Sequence, residues 1–152
     1  GDGPAREDLA VRLPNTTFTG FLEGDTLAQA YASADLFLFP SDTETFGNVT
    51  LEAMASGLPT ICADAAGSRD LVEDGITGRL CPTGDVEAFT EAVRALIVDA
   101  DRRNRMGAAA HERAQDFTWP AVLGQMNQYY DEVLEHSAAK ASRPFPSSRV
   151  SA

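Results

Sequence analysis

The stretch Asp35-Leu36-Phe37-Leu38-Phe39-Pro40-Ser41-Asp42-Thr43-Glu44-Thr45-Phe46-Gly47-Asn48-Val49-Thr50-Leu51-Glu52-Ala53-Met54-Ala55-Ser56-Gly57-Leu58-Pro59-Thr60-Ile61-Cys62-Ala63 holds two apolar runs separated by a helical pattern. The first run, Leu36 to Phe39, reads as a buried strand stopped by Pro40, which has no N–H to give a ladder. Phe46 to Ser56 reads as a helix with Val49, Leu51, Ala53, Met54 and Ala55 in its body. Gly57 suits the left-handed residue that ends a helix, and Pro59 bars continuation. Pro59 to Ala63 is the next strand. Strand, helix, strand in succession, with runs apolar on both faces, predicts a parallel sheet covered by helices.

The alternation continues outward. Gly78 to Cys81 is a further strand, and Asp85 is a credible N-cap for a helix to about Val98, with Val86, Phe89, Val93, Leu96 and Ile97 on one stripe. Arg102 to Gln115 reads as a polar helix. Pro120 to Glu135 reads as another, with Pro120 at its first position and Val122, Leu123, Met126, Tyr130, Val133 and Leu134 as its apolar face. Trp119 is read as the anchor of that helix. Toward the N-terminus, Asp25 to Ala34 places Leu27 and Tyr31 on one helix face, and Thr17 to Phe21 is a short β-type run. From Ser137 to Ala152 the chain is Ser, Ala, Pro and Arg with little to bury, and a disordered tail is expected.

Composition narrows the function classes. The 152 residues carry 12 Lys+Arg against 23 Asp+Glu, a net charge of −11. A nucleic-acid backbone binder needs clustered cations, so no nucleic-acid partner is expected. A chain that is 43% hydrophobic and 23% charged has a globular composition. Its longest apolar runs fall far short of the roughly 18 to 20 residues that span a bilayer. Gly1-Asp2-Gly3-Pro4 has neither the basic nor the apolar region of a secretory signal, so a cytoplasmic location is expected. The abrupt start without Met reads as that of a fragment. Cys62 and Cys81 make neither a disulfide framework nor a zinc site and read as small residues of buried strands.

Parallel sheets bind ligands beyond the carboxyl ends of their strands, which singles out the loops after Phe39, Ala63 and Cys81. In the first of these a helix begins near Gly47. The N–H groups of about Gly47, Asn48 and Val49 therefore lack intrahelical partners and form an anion site at the positive end of the helix dipole. Gly47 has no side chain to hold a ligand off the backbone. Glu44 and Glu52 bracket the site. Were the residues between them all helical, the two would stand about 12 Å apart along the axis, against about 5 to 5.5 Å for the carboxyl pair of a retaining glycosidase. Two carboxylates flanking a phosphate site suit a different task, accepting hydrogen bonds from vicinal hydroxyls at each end of a diphosphate. The competing reading is that either acid serves only the helix terminus.

Glu44 and Glu52 have the E-x7-E spacing of the retaining glycosyltransferases of the GT4 type, and the surrounding Pro40-Ser41-x-x-Glu44-x-Phe46-Gly47-x-x-x-Leu51-Glu52-Ala53-Met54-Ala55-x-Gly57-x-Pro59 resembles that family closely. The resemblance runs from Gly1 to about Tyr130. It takes in Gly1-Asp2-Gly3-Pro4, Phe18-Thr19-Gly20, Tyr31-Ala32-x-Ala34-Asp35, Asp70-Leu71-Val72-x-x-Gly75-x-x-Gly78, Gly84-Asp85 and Phe117-Thr118-Trp119. It implies a GT-B fold, two Rossmann-like domains across a cleft, with residues 1–136 as a partial nucleotide-sugar-binding domain of the C-terminal type. It further implies that Glu44, as the catalytic residue, binds donor-sugar hydroxyls and that Glu52 binds the ribose hydroxyls. The backbone of Phe46, Gly47, Asn48 and Val49 would contact sugar and diphosphate, and the base would lie by Gly20 and Phe21. The implied reaction moves a hexose from a GDP- or UDP-sugar to an acceptor glycan or lipid with retention. It needs no metal and no further cofactor, and the departing diphosphate helps deprotonate the acceptor.

Three departures qualify this. The family's preceding strands, with their Arg/Lys pair for the leaving diphosphate, and its acceptor domain have no counterpart in this sequence. Ala65-Ala66-Gly67-Ser68 stands where a double glycine is commoner. The expected sheet is therefore incomplete, with Leu36 to Phe39, Pro59 to Ala63 and Gly78 to Cys81 as a contiguous trio, Leu36 to Phe39 at an open edge, and Thr17 to Phe21 without its neighbour. The chain alone is expected to be inactive. The alternative is a non-catalytic nucleotide-sugar-binding module, or an inactive fragment that needs a separate N-terminal half. Elsewhere, His111 and His136 read as surface histidines and Asp64 as a loop cap. Arg69 and Arg79 read as surface ion pairs rather than phosphate partners. The Arg102, Arg103 and Arg105 cluster reads as a solvated face, with peripheral contact to an anionic membrane as its alternative.

Overall fold

The computed structural model describes residues 2–44 and 46–141. In chain order these form α1 (Arg6–Arg12), α2 (Gly24–Ala32), β1 (Phe37–Phe39), α3 (Asn48–Ala55), β2 (Thr60–Ala63), α4 (Ala66–Arg69), β3 (Gly78–Cys81), α5 (Val86–Val98), α6 (Ala100–Ala114), a 3-10 turn (Gln115–Phe117) and α7 (Trp119–Ala141). They fall into two units, one ending at Ala114 and one starting at Gln115.

The first unit is built on a parallel sheet ordered β1-β2-β3, with Leu38 opposite Ile61 and Cys62 opposite Leu80. All four residues of the central strand β2 are buried. The continuous apolar run is thus explained for β2. β1 is half-open, with Leu38 47% exposed, and its only ladder neighbour among the described residues is β2. The open edge at Leu36 to Phe39 is therefore present as expected. One face of the sheet packs on α5 and α6 through Ile61, Ala63, Cys81, Phe89, Ala92, Leu96 and Met106. α3 adds Thr50, Ala53 and Met54 to the buried set.

Local chemistry sets the element ends. The Asp85 side chain accepts from the Ala88 N–H at 3.0 Å and so caps α5. Asp99 caps α6 in the same way, accepting from the Arg102 N–H at 2.8 Å. Gly57 closes the α3 end at φ +77°, left-handed backbone that side chains disfavour. Gly78 and Gly107 are close-approach positions. A Cβ on Gly107 would run into the Gly57 carbonyl, and one on Gly78 into the Thr60 carbonyl, so α6 meets the α3–β2 turn, and β3 meets β2, backbone to backbone.

Several expectations need correction. Thr17 to Phe21 is not a strand. It has no partner ladder, and the Phe21 N–H is taken by the Asp2 carboxylate instead. Val86 and Ile97 lie outside the buried face of α5, which runs through Phe89, Ala92 and Leu96, Ala92 being too small to mark the stripe by its apolar period. α1 has no apolar signal in the sequence pattern. It buries no residue, so no apolar period announces it; its marks are Glu7 and Asp8 in the first turn and Arg12 in the last. In the second unit α7 runs on to Ala141, so residues 137–141 belong to a helix and not to a tail; residues 142–152 lie outside the described residues. Trp119, at the start of α7, is 79% exposed.

Candidate functional site

The loop from Pro40 to Gly47 leaves the carboxyl end of β1 and enters α3. Its conformation turns on two glycines. Gly47, the N-cap of α3, sits at φ +83°, and a Cβ there would also lie 3.1 Å from both the Gly67 carbonyl oxygen and Leu71 Cδ1. Gly67, in α4, faces the same loop from the other side. A Cβ on it would lie 2.8 Å from the Glu44 carbonyl oxygen and 3.2 Å from the Phe46 carbonyl carbon. The backbones of Glu44, Phe46 and Gly47 therefore rest directly on Gly67 of α4, and any side chain at 47 or 67 would push them off.

No side chain caps the N-terminus of α3 among the described residues. The Gly47 carbonyl accepts from the Leu51 N–H at 3.0 Å, which starts the helix ladder and leaves the first-turn N–H groups aimed out of its positive end. Around them Glu44 and Val49 are half-buried, Asn48 is exposed and Phe46 is 49% exposed. Glu52 lies on the solvent side of α3, and Tyr31 holds it: the phenol donates to Glu52 Oε2 at 3.1 Å and also lies 3.4 Å from the Val49 carbonyl oxygen. Partial burial, and next the hydrogen bond to the carboxylate and its charge, push the Tyr31 phenol up to about 12, so it is a permanent donor at neutral pH.

Gly20 and Phe21 form a separate corner. Asp2 Oδ2 accepts from the Phe21 N–H at 3.0 Å, and Arg6 both pairs with Asp2 at 3.6 Å and donates to the Phe18 carbonyl at 3.3 Å. Gly20 has φ +75°, with the Asp2 carboxylate 3.3 Å from where a Cβ would stand. The structure thus groups Glu44, Phe46, Gly47, Asn48, Val49 and Glu52 around the start of α3, while Gly20 and Phe21 are held by Asp2. Sequence reading missed the parts played by Tyr31, Asp2 and Gly67. Tyr31 looked like an apolar helix residue, and only its hydroxyl could have signalled otherwise.

Arg69, Arg79 and Arg103 are each engaged in an ion pair. Arg69 pairs with Asp64, donating to its side chain and, at 3.2 Å, to its backbone carbonyl; the guanidinium holds the Asp64 carboxyl below the usual carboxylate range. Arg79 pairs with Asp74 at 3.4 Å. Both bear out the ion-pair reading. Arg103 is likewise engaged, donating to the Leu96 carbonyl at 2.8 Å at the end of α5 and pairing with Asp35 at 3.6 Å. Cys62 and Cys81 are buried and free, and burial pushes both thiols up, as for inert structural cysteines. His111 Nδ1 lies 2.7 Å from the Ala55 carbonyl and His136 Nδ1 lies 3.0 Å from that of Glu132. Among the described residues no three His, Cys, Asp or Glu converge, and no helix is long and apolar enough to cross a membrane.

Comparison with known proteins gives one consistent answer. The sulfoquinovosyl transferase SQD2 of Arabidopsis thaliana is 42% identical over 140 residues, which is 88% of this chain and 28% of that protein. A GDP-mannose-dependent alpha-mannosyltransferase of Corynebacterium glutamicum is 42% identical over 134 residues, 88% of this chain and 32% of the other. Among solved structures, the sucrose-phosphate synthase of Thermosynechococcus elongatus superposes with a TM-score of 0.74 at 32% identity, covering 87% of this chain and 34% of its own. The chain thus spans about a third of the length of the proteins it matches, and it shares the Rossmann-like architecture of GT-B glycosyltransferases. The glycosyl transferases group 1 profile matches residues 1–99, and the chain belongs to that family.

Proposed function

We propose that residues 1–136 are the donor-binding part of a retaining hexosyltransferase that uses a GDP- or UDP-sugar. The observation that carries this reading is the start of α3. An uncapped helix terminus follows a left-handed Gly47, is seated on Gly67, and has Glu44 before it and a hydrogen-bonded Glu52 behind it. The N–H groups at Gly47, Asn48 and Val49 receive the diphosphate and Phe46 flanks it. Glu52 accepts from the ribose hydroxyls and Glu44 from those of the hexose. Gly20 and Phe21 border the base. The relatives support the donor class: one is named GDP-mannose-dependent, and the Anabaena Alr3699/HepE structure, 27% identical at a TM-score of 0.69, holds UDP.

In the reaction, the bond from the anomeric carbon to the β-phosphate oxygen breaks and the acceptor hydroxyl oxygen bonds to that carbon from the same face. The acceptor proton passes to the departing phosphate oxygen. The protein's part is positioning and charge stabilisation. Arg69 is paired with Asp64 and is not assigned to the leaving diphosphate here, and the chain by itself binds donor without turnover. The acceptor is a glycan or lipid, met in the cytoplasm or at the inner face of a membrane.

Calorimetric titration with UDP, GDP and their hexose conjugates, without metal, tests the reading. Saturable binding of one nucleotide, lost in Glu52→Ala, is expected. A folded protein that binds neither nucleotide would refute it.

A further inference from the structure

We infer that Tyr31 is a positioning residue: its phenol presets the Glu52 carboxylate for a vicinal diol and so makes nucleotide affinity depend on the ribose hydroxyls. The inference rests on the donor reading of Glu52. Glu52 is exposed, and a free glutamate side chain spreads over many rotamers that a ligand must freeze out. Here one oxygen is already tied. Tyr31 donates to Oε2 at 3.1 Å, and its oxygen lies 3.4 Å from the Val49 carbonyl, a turn earlier on α3. A phenol has a single proton to give, and the charged carboxylate at the shorter distance is the stronger acceptor. Oε1 and the remaining lone pair of Oε2 stay available to a pair of hydroxyls.

The ring behind that hydroxyl is fixed as well. Tyr31 packs tilted on Phe37 with centroids 5.9 Å apart, and Phe37 stacks on Phe39 at 5.7 Å. Both phenylalanines belong to β1, whose carboxyl end opens into the Glu44 loop. One rigid chain of contacts thus runs from the sheet to the ribose side of the site, and preorganisation of this kind raises affinity by lowering the ordering cost of binding. Tyr31→Phe removes the hydroxyl and keeps the ring packing.

The test is a cycle of Tyr31→Phe, Glu52→Gln and the double variant, titrated with UDP, GDP and their 2′,3′-dideoxy analogues in the protein that carries these residues. Tyr31→Phe should weaken the ribonucleotide about tenfold, the scale of one charge-assisted hydrogen bond. It should leave the dideoxy analogue almost untouched and add nothing in the Glu52→Gln background. Equal weakening of both nucleotides would reduce Tyr31 to general packing and overturn the inference. So would weakening by Glu52→Gln alone with Tyr31→Phe silent, which leaves the donor reading standing. Glu52→Gln without effect, or no saturable binding of either nucleotide, would overturn the donor reading and this inference with it. A ligand-free measurement keeps the contact itself testable: ultraviolet titration of the Tyr31 phenol should fall from about 12 toward its ordinary value in Glu52→Gln, and an unchanged titration overturns the inference.

Discussion

Residues 2–35 and residues 47–114 are held by different forces. α1 and α2 bury no residue, whereas β2 is buried throughout and α3, α5 and α6 each send side chains into the core. The earlier region is tied down by polar contacts: Asp2 to the Phe21 N–H, Arg6 to the Phe18 carbonyl, Tyr31 to Glu52 and Asp35 to Arg103. Apolar burial is worth far more per residue than such exposed contacts. The difference separates a deeply buried scaffold from a less buried wall, tied to β1 through Tyr31 on Phe37, that carries one side of the proposed site.

The sharpest way to break that comparison is a matched pair of truncations. Ile61 is fully buried in β2, and Ile61→Ala should cost roughly 2 to 5 kcal/mol by denaturant unfolding. Leu9→Ala, on α1, should stay within about 0.5 kcal/mol. A large loss from Leu9→Ala would show that the polar wall is part of the core after all.

Glu44→Ala tests the scaffold's contribution to chemistry. In the complete enzyme it should lower turnover by at least ~100-fold, the scale of losing a contact made in the transition state, with folding unaffected. Near-normal turnover would refute its assigned role. Gly67→Ala comes next. Its Cβ meets the Glu44 carbonyl oxygen at 2.8 Å, backbone that cannot swing aside as a side chain does. A cost of about 1 to 3 kcal/mol is expected, together with weakened nucleotide binding as the Glu44 loop is displaced. Unfolding and titration on the same sample separate the two effects.

The scaffold was legible in sequence, and of the wall only α2 was, expected over Asp25 to Ala34 and found at Gly24–Ala32. Leu36 to Phe39, Pro59 to Ala63 and Gly78 to Cys81 announce strands because they are apolar runs with stop signals, and Asp85 and Gly57 mark helix ends through local chemistry. The Glu44 loop was legible through its motif, which is contiguous. Thr17 to Phe21 misled because its residues suit a strand while its pairing depends on a neighbour. α1 has no buried face to give it a period. Tyr31 and Glu52 meet across 21 positions of sequence, and Gly67 reaches Glu44 across 23, distances over which a single sequence carries no record of contact.

Alkaline pH offers a direct probe of the wall. The Tyr31 phenol stands at about 12, raised from 10.0 chiefly by burial and then by its bond to Glu52. A group held above its unfolded value contributes fully below that value and loses its contribution as pH rises through the folded one. Stability attributable to this contact should therefore be intact up to about pH 10 and be gone above about pH 12. Subtracting the same curve for Glu52→Gln, which keeps the partly buried phenol and removes its charged partner, isolates it from burial. Identical alkaline limbs for the two proteins would show that the contact does not persist in solution.

The smallest expected effect sharpens the comparison at its chemical boundary. Asp64 follows β2 and Arg69 lies in α4, so their pair sits on the stable scaffold yet faces solvent. The Asp64 carboxyl is held below its ordinary range, first by the hydrogen bond from Arg69, so its contribution is present above the ordinary carboxylate value and is lost as pH falls through the depressed one. Solvent screening keeps that contribution small. Asp64→Asn should accordingly leave unfolding almost unchanged at neutral pH and remove only the acid-side dependence. Its greater use is functional. The substitution releases Arg69 from its carboxylate beside the Gly67 floor of the Glu44 loop. If Arg69 is purely a structural partner, nucleotide affinity should not move. A clear rise in affinity for UDP or GDP would show instead that the scaffold holds a phosphate-binding cation in reserve, and that Asp64 competes with the diphosphate for it.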